Sequence, residues 1–101
     1  MARVSVGKIE DVPAGEGRVV DAAGKALAIF NLEGRYYAID NTCAHRGGPL
    51  GEGELDGILV VCPWHGWRWD VTSGANANNP AVKVPCFPVT IEQGQIFVEL
   101  P

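Results

Sequence analysis

The chain has 101 residues, 47% of them hydrophobic and 20% charged, and its net charge at pH 7 is −4. This size and composition are typical of one small globular domain, not of a disordered chain. The net negative charge disfavours nucleic acid as a partner, because phosphate binding needs a basic surface. There is no apolar run near 18 residues and no signal-peptide or twin-arginine pattern at the start, so we expect no membrane contact and a reducing, cytoplasmic location.

Short apolar segments separated by turn residues predict strands along the first 40 residues. The predicted strands are 2–6, 18–20, 26–32 and 35–39, with a single helical turn at 9–13. Turn residues recur about every eight to twelve positions, and no stretch keeps the 3.6-residue apolar period of a helix. We therefore predict an all-β protein built as an antiparallel sandwich or barrel.

The later part of the chain continues this pattern. Residues 58–61 and 67–70 predict short strands, and residues 87–92 and 95–100 predict a closing hairpin joined at 93–94. We predict a single domain in two parts. Its sandwich base is formed by residues 1–40 and 71–101, and its inserted subdomain by residues 41–70.

The residues that carry chemistry are concentrated in the insert. Cys43 and His45 form a C-x-H pair, and Cys62 and His65 form a C-x-x-H pair after sixteen intervening residues. Two thiolates and two imidazoles suit zinc or an iron–sulfur cluster. If these cysteines bind metal, Cys86 has no intramolecular disulfide partner, and we expect it to be a small buried side chain in a late strand.

At these positions the chain resembles the Rieske [2Fe–2S] family. The matching segments are C-A-H-R-G-G-P-L at 43–50, C-P-W-H-G-W-R-W-D at 62–70 and T-S-G at 72–74, and residues 80–85 resemble more loosely a third loop that covers the cluster. In this family two cysteines hold one iron and two histidines hold the other. The ligands that the resemblance implies are Cys43 and Cys62 for the first iron, and His45 and His65 for the second.

Residues beside the ligands are given supporting roles by the same resemblance. Gly47, Gly48 and Gly66 would let backbone amides approach the cluster sulfurs, although each can also simply form a turn. Trp67 and Trp69 lie two apart, on one face of the strand that leaves the second ligand pair. We expect this aromatic pair to pack the core of the subdomain, with a direct part in electron transfer as the alternative.

His45 and His65 are expected at the exposed tip of the insert, where they would give electrons a route in and out. We expect a docking surface at this tip. Arg46, Pro49 and Trp64 border this tip and are candidate contacts for a redox partner, since aromatic and arginine side chains dominate such contacts. Trp64 could instead only shield the cluster. The acidic segment 51–57 is predicted to be a solvated turn, with steering of a basic partner by its three carboxylates as the alternative.

Departures from the respiratory Rieske type indicate a low reduction potential. Respiratory proteins carry two extra cysteines, joined as a disulfide, where this chain has Gly48 and Trp64. They also carry a serine and a tyrosine hydroxyl donor where this chain has Trp67 and Trp69. Without these donors the negative, reduced cluster is stabilised less, so its potential is lower.

The resemblance implies a free-standing, monomeric ferredoxin, an electron carrier and not an enzyme, which passes electrons from a flavin-dependent reductase to an oxygenase. The sequence has no third histidine and no facial-triad pattern for the mononuclear iron of a catalytic subunit. Two alternatives remain. One is the small subunit of an NAD(P)H-dependent assimilatory nitrite reductase, bound to its large subunit. The other is a structural Cys2His2 zinc module, although the spacing departs from that of zinc fingers.

Voltammetry of the native protein should give a reduction potential in the lower half of the Rieske range of roughly −150 to +300 mV. The value should change little with pH around neutrality, because both histidine ligands keep their second ring proton there. A high potential that falls as the pH rises through neutrality would contradict the low-potential assignment. A colourless protein with no reversible wave would favour zinc.

Overall fold

A computed structural model of the chain describes residues 2–22, 24–42, 49–64 and 66–100. These residues form ten strands and two short 3₁₀ turns, Ile9–Asp11 and Leu50–Glu52. The prediction of an all-β protein is therefore confirmed. No helix within the described residues is long and apolar enough to cross a membrane. The strands are β1 Ala2–Lys8, β2 Gly17–Ala22, β3 Lys25–Leu32, β4 Arg35–Asp40, β5 Glu54–Asp56, β6 Leu59–Val61, β7 Arg68–Asp70, β8 Cys86–Phe87, β9 Val89–Glu92 and β10 Gln95–Leu100.

The strands pair antiparallel in three sheets. The strand orders are β1-β10-β9, β2-β3-β4-β8 and β5-β6-β7. The third sheet lies within the predicted insert, residues 41–70, and the other two contain the strands before and after it. The division of the domain into base and insert stays a prediction with which this topology agrees.

Two-residue turns set the register of two hairpins. The turn between β3 and β4 is Glu33-Gly34, and the turn between β9 and β10 is Gln93-Gly94. All four residues have a positive φ, between 49° and 91°. This is the geometry of a type I′ turn, whose twist matches that of the strands it joins. The predicted turns at 33–34 and 93–94 are thereby confirmed.

Strand β3 separates two hydrophobic cores. Leu27 and Ile29 face a core shared with β10, while Ala28 and Phe30 face a second core that contains Cys62. All four of these β3 residues are fully buried. Side chains alternate between the two faces of a strand, so burial on both faces requires a continuous apolar run. The position of β3 between the two cores explains its continuous apolar run. Because the second core contains Cys62, the base of the candidate site packs against the centre of the fold.

Two sequence predictions of secondary structure are wrong. Residues 54–56 were expected in a turn but form β5, in which Glu54 and Asp56 are exposed and Leu55 is half-buried against the second core. Residues 87–92 were expected as one strand but are divided at Pro88. Because proline has no backbone N–H to continue a ladder, the chain changes sheets there, from β8 beside β4 to β9 beside β10.

Substitution of Gln93 by asparagine should stabilise the protein by roughly 0.5 kcal/mol, because asparagine tolerates the left-handed conformation of a type I′ turn better than glutamine. Denaturant unfolding measures the change. The matched control is Gln95→Asn, the same substitution at an exposed strand position, where asparagine is disfavoured. Equal effects at the two positions would contradict the turn-based explanation.

Candidate metal centre

Of the four predicted ligands, Cys62 alone lies within the described residues. Other predicted site residues outside them are Cys43, His45, Arg46, Gly47, Gly48 and His65. The described residues nevertheless fix both ends of each ligand-bearing loop. The contacts of these ends determine how close the two loops come to each other.

The first loop leaves and re-enters the fold at one place. Thr42 and Pro49, which flank the loop, form an antiparallel bridge. Asn41 makes three hydrogen bonds beneath this bridge. Its backbone N–H donates to the Ala26 oxygen of β3 at 3.1 Å, and its backbone oxygen accepts from the next residue after the bridge, Leu50, at 2.8 Å. Its side-chain Oδ1 accepts from the Gly51 N–H, also at 2.8 Å.

Two glycines bring the end of the first loop close to the second. A β-carbon at Gly51 would lie 2.6 Å from a methyl carbon of Val19 and 3.1 Å from the backbone carbon of Arg18, and one at Gly53 would overlap the carbonyl oxygen of Val61. Residues 51–53 therefore pack directly on the backbone of β2 and β6. Val61 is the residue before Cys62, so the end of the first loop touches the start of the second.

The second loop is a closed turn. The Cys62 N–H donates to the Trp67 oxygen at 2.7 Å, and the Gly66 N–H donates to the Cys62 oxygen at 3.0 Å. Gly66 has a φ of +73°, and none of the described residues comes within 4 Å of the place where a β-carbon would stand. Its backbone conformation and hydrogen bond thus give it a turn role, while an amide contact with cluster sulfur in this loop stays a prediction.

Cys62 lies at the inner end of this turn, with only 2% of its surface exposed. It belongs to the second core together with Leu50, Val60 and Trp69. Trp67 packs against the same core, and its ring centroid lies 6.2 Å from that of Trp69 at an interplanar angle of 34°. The aromatic pair therefore occupies the packing position that the sequence analysis expected.

The chemistry of this site fits an iron–sulfur cluster. Cys62 supplies a soft sulfur donor, which iron–sulfur clusters and zinc both accept. Beside it lies a cleft of about 460 Å³, lined by residues of both loop ends: Glu52, Gly53, Glu54, Val61, Cys62, Pro63 and Gly66. The buried aliphatic and aromatic neighbours of Cys62 would limit the access of water to a bound cluster, which is one of the factors that set its potential.

Comparison with known proteins decides the family. A profile of the Rieske [2Fe–2S] domain matches residues 2–88. The chain belongs to the Rieske [2Fe–2S] domain family. Its cofactor is therefore a Rieske [2Fe–2S] cluster, as the sequence analysis predicted.

Similar curated proteins are carriers in oxygenase systems. The chain is 41% identical over 99 residues to the ferredoxin component of the p-cumate 2,3-dioxygenase system of Pseudomonas putida, covering 90% of this chain and 80% of that protein. It is 33% identical over 93 residues to the ferredoxin component of naphthalene 1,2-dioxygenase/salicylate 5-hydroxylase systems of Ralstonia sp., covering 91% and 89%. The predicted assignment to Rieske-type ferredoxins, which are electron carriers and not catalytic subunits, is confirmed.

Solved structures agree with this assignment. The ferredoxin of Sphingomonas yanoikuyae B1 superposes with a TM-score of 0.89 at 31% identity, over 99% of this chain and 100% of that one. A chain from the complex of reduced oxygenase and oxidized ferredoxin in carbazole 1,9a-dioxygenase gives 0.86 at 33% identity, over 95% and 91%. A putative nitrite reductase small subunit from Mycobacterium tuberculosis gives 0.88 over 96% and 93%, but at 23% identity this likeness shows the fold alone.

Trp64 and Pro49, two of the three candidate docking residues, lie within the described residues. Trp64 occupies the middle of the second turn with 58% of its surface exposed, the largest exposed fraction among the big hydrophobic side chains described. Pro49 is half-buried at the base of the first loop. Trp64 is therefore presented to solvent two residues from the buried Cys62, one of the predicted ligands.

The expectation for Cys86 is half correct. Cys86 lies in a late strand, β8, but the strand leaves its side chain exposed instead of buried. The thiol donates a weak hydrogen bond to the Thr72 oxygen at 3.7 Å. Partial burial, together with the nearby charge of Asp70, raises the pKa of the Cys86 thiol, although a backbone hydrogen bond at Phe87 acts in the opposite direction.

Substitution of Asn41 by alanine should destabilise the protein by about 1–3 kcal/mol, because the buried Gly51 N–H loses its acceptor. The first loop should also hold the cluster less firmly, so the visible absorbance should decay faster in the presence of an iron chelator. Thr42→Ala is the matched control, since Thr42 is exposed and only its backbone is hydrogen-bonded. Equal chelation rates in the two variants would show that the Asn41 side chain does not hold the loop.

Alkylation of Cys86 by iodoacetamide near pH 8 should be slower than that of an unperturbed thiol. The thiolate is the reactive species, and a raised pKa reduces its fraction at that pH. Asp70→Asn removes one of the two causes of the raised pKa and should therefore speed the reaction. Mass spectrometry of the holoprotein measures both rates. An unchanged rate in Asp70→Asn would contradict the electrostatic contribution.

Proposed function

We propose that this protein is a mobile carrier that accepts one electron at a time from a flavin-dependent reductase and delivers it to a terminal oxygenase. The observation that carries the proposal is the similarity along nearly the whole chain to ferredoxin components of dioxygenase systems, at 33–41% identity. The likeness to a chain of a ferredoxin–oxygenase complex, at 33% identity, supports an oxygenase as the acceptor.

The ligand set is part of the proposal. Cys43 and Cys62 bind one iron, and His45 and His65 bind the other. When bound, the cluster supplies a site that gains and loses a single electron at a potential set by its ligands and surroundings. The described residues support this assignment because the ends of the two loops meet beside Cys62.

The polypeptide itself positions the site and shields one side of it. Hydrogen bonds of Asn41 and Cys62 close the base of each loop. The second core excludes water from the inner side of Cys62, and Pro63 and Trp64 extend outward from the same turn. Cys62 thus lies between a packed interior and an exposed turn, which supports its proposed role as a ligand in a carrier that exchanges electrons with a protein that touches it briefly.

Trp64 is the docking contact that we favour at this tip. Its exposure of 58% supports contact with a partner over a purely shielding role. Redox encounters bury little surface, so one large aromatic side chain can supply much of the binding energy.

The acidic side chains beside the tip fit the steering of a basic partner. Glu52 and Glu54 are exposed and line the cleft next to Cys62. Within the described ranges the sole salt bridge joins Arg3 and Glu92, which leaves the carboxylates of the cleft available. Charges of this kind raise the rate of encounter, and their effect decreases with added salt.

A monomer in the cytoplasm completes the proposal. A shuttle that meets two partners in turn functions as a single copy. The free thiol of Cys86, exposed on β8, fits a reducing compartment, where such thiols persist without forming disulfides.

Purification of the tagged protein from its own cells, followed by mixing experiments, tests the function. The chemically reduced protein should transfer its electron to a purified terminal oxygenase within milliseconds to seconds, and it should be reduced in turn by a flavin-dependent reductase and NAD(P)H. Purification in a stable, stoichiometric complex with a large subunit that contains sirohaem and flavin would contradict the free carrier.

Trp64→Ala should raise the KM of the partner for this carrier by about fivefold or more, the effect of losing roughly 1 kcal/mol of binding energy. The absorbance of the cluster and its reduction potential should not change. The matched control is Ile91→Ala, which truncates another exposed hydrophobic residue, 41% exposed, on a strand of the base. Transfer kinetics that are unchanged in Trp64→Ala would show that this side chain only covers the cluster.

A further inference from the structure

Two buried hydrogen-bond donors close to the site have no acceptor among the described residues. Within that part of the chain the indole Nε1 of Trp69 and the amide Nδ2 of Asn76 make no hydrogen bond, although Trp69 is fully buried and Asn76 is 3% exposed. The orientation of the Asn76 amide is fixed, because its Oδ1 accepts hydrogen bonds from two backbone amides at 2.9 and 3.0 Å. Burying a polar group without a partner is destabilising, and such groups are rare in native proteins, so these two neighbours suggest that something else supplies an acceptor.

The strand register places the Trp69 side chain next to Cys62. In the β6–β7 ladder Val60 pairs with Trp69, and the Cys62 N–H continues the ladder by donating to the Trp67 oxygen. Trp69 is therefore the diagonal neighbour of Cys62 on the same face of the sheet. Diagonal neighbours are about 7–8 Å apart, within reach of a large aromatic side chain. Membership of both residues in one buried core agrees with this placement.

From this geometry we infer that the Trp69 indole N–H donates a hydrogen bond to a sulfur atom at the cluster site and thereby raises the reduction potential. The inference rests on the ligand set proposed above. A donor aimed at sulfur stabilises the reduced cluster more than the oxidised one, because reduction adds negative charge. Relative to the respiratory type, Trp69 lacks the hydroxyl donor at this strand position, and the indole N–H is a different donor in its place.

A buried water shared by the two donors is the rival explanation. Asn76 forms a backbone bridge with Trp69, so the two side chains are close enough to share one water. Such a water would bring two protons of its own, and the aliphatic side chains of the second core, such as Leu50, Val60 and Val84, accept none. An anionic sulfur would accept the Trp69 N–H and bring no proton of its own, and the inference assigns an acceptor to Trp69 alone. The surroundings therefore favour sulfur.

Voltammetry of Trp69→Phe tests the inference, because phenylalanine keeps an aromatic ring and removes the donor. At a fixed applied potential, the ratio of reduced to oxidised protein should be at least threefold lower than in the wild type. For a one-electron couple, at 59 mV per tenfold change, this corresponds to a decrease of about 28 mV in the reduction potential. The matched control is Trp64→Phe, the same substitution at an exposed indole that can bond to water, and its potential should not change. An unchanged potential in Trp69→Phe, with or without lower stability, would overturn the inference and leave the water.

A second measurement keeps the test decisive if Trp69→Phe does not retain its cluster. Wild-type protein labelled with ¹⁵N in its tryptophan indoles, once reduced, should show a weak ¹⁵N coupling to the cluster spin in pulsed electron–nuclear double resonance. The coupling should persist in labelled Trp64→Phe and in labelled Trp67→Phe. Its absence from the wild type, or its loss in either variant, would overturn the assignment to Trp69. A native protein with no Rieske spectrum at all would refute the proposed function itself.

Discussion

Closure of the two ligand loops at their bases is the constraint on which this protein depends. A cluster held by four side chains needs those side chains at fixed separations, so the residues that flank each loop must be held firmly. The fold meets this need with few hydrogen bonds. Asn41 joins the two ends of the first loop, and Cys62 closes the second through the Trp67 oxygen. Gly51 and Gly53 then allow the closed ends to pack on β2 and β6 without an intervening side chain.

The rest of the fold holds these closures in place. Strand β3 carries the acceptor for the Asn41 N–H and also forms the wall between the two cores. A disturbance of β3 would therefore reach both the sandwich and the site. The interior residues of β3 are fully buried because one of the two cores covers each of its faces. The packed centre thereby holds the residues that flank both loops, Asn41 and Leu50 for the first and Cys62 for the second.

Most of the fold and the nature of the cofactor could be predicted from the sequence, because both depend on local signals. The Glu33-Gly34 turn and the two cysteine–histidine pairs are readable from a few adjacent residues. The strand at Glu54–Asp56 could not be predicted, because one apolar residue is too few to show the alternating apolar and polar pattern of a strand. Its conformation depends on its pairing with β6. The exposed position of Cys86 and the missing acceptor of Trp69 depend on contacts between distant segments, which no local pattern contains.

The position of Trp64 has a consequence for the order of events during turnover. Under the proposed function, one solvent-facing tip would serve as the entrance and the exit for the electron, and reductase and oxygenase would occupy the same surface in turn. A ternary complex would then not bridge the two enzymes through this carrier. Each transferred electron requires a dissociation and a new encounter, and an interface that bound either partner too tightly would slow the whole chain of reactions. Selection should therefore limit the affinity of this tip as well as maintain it.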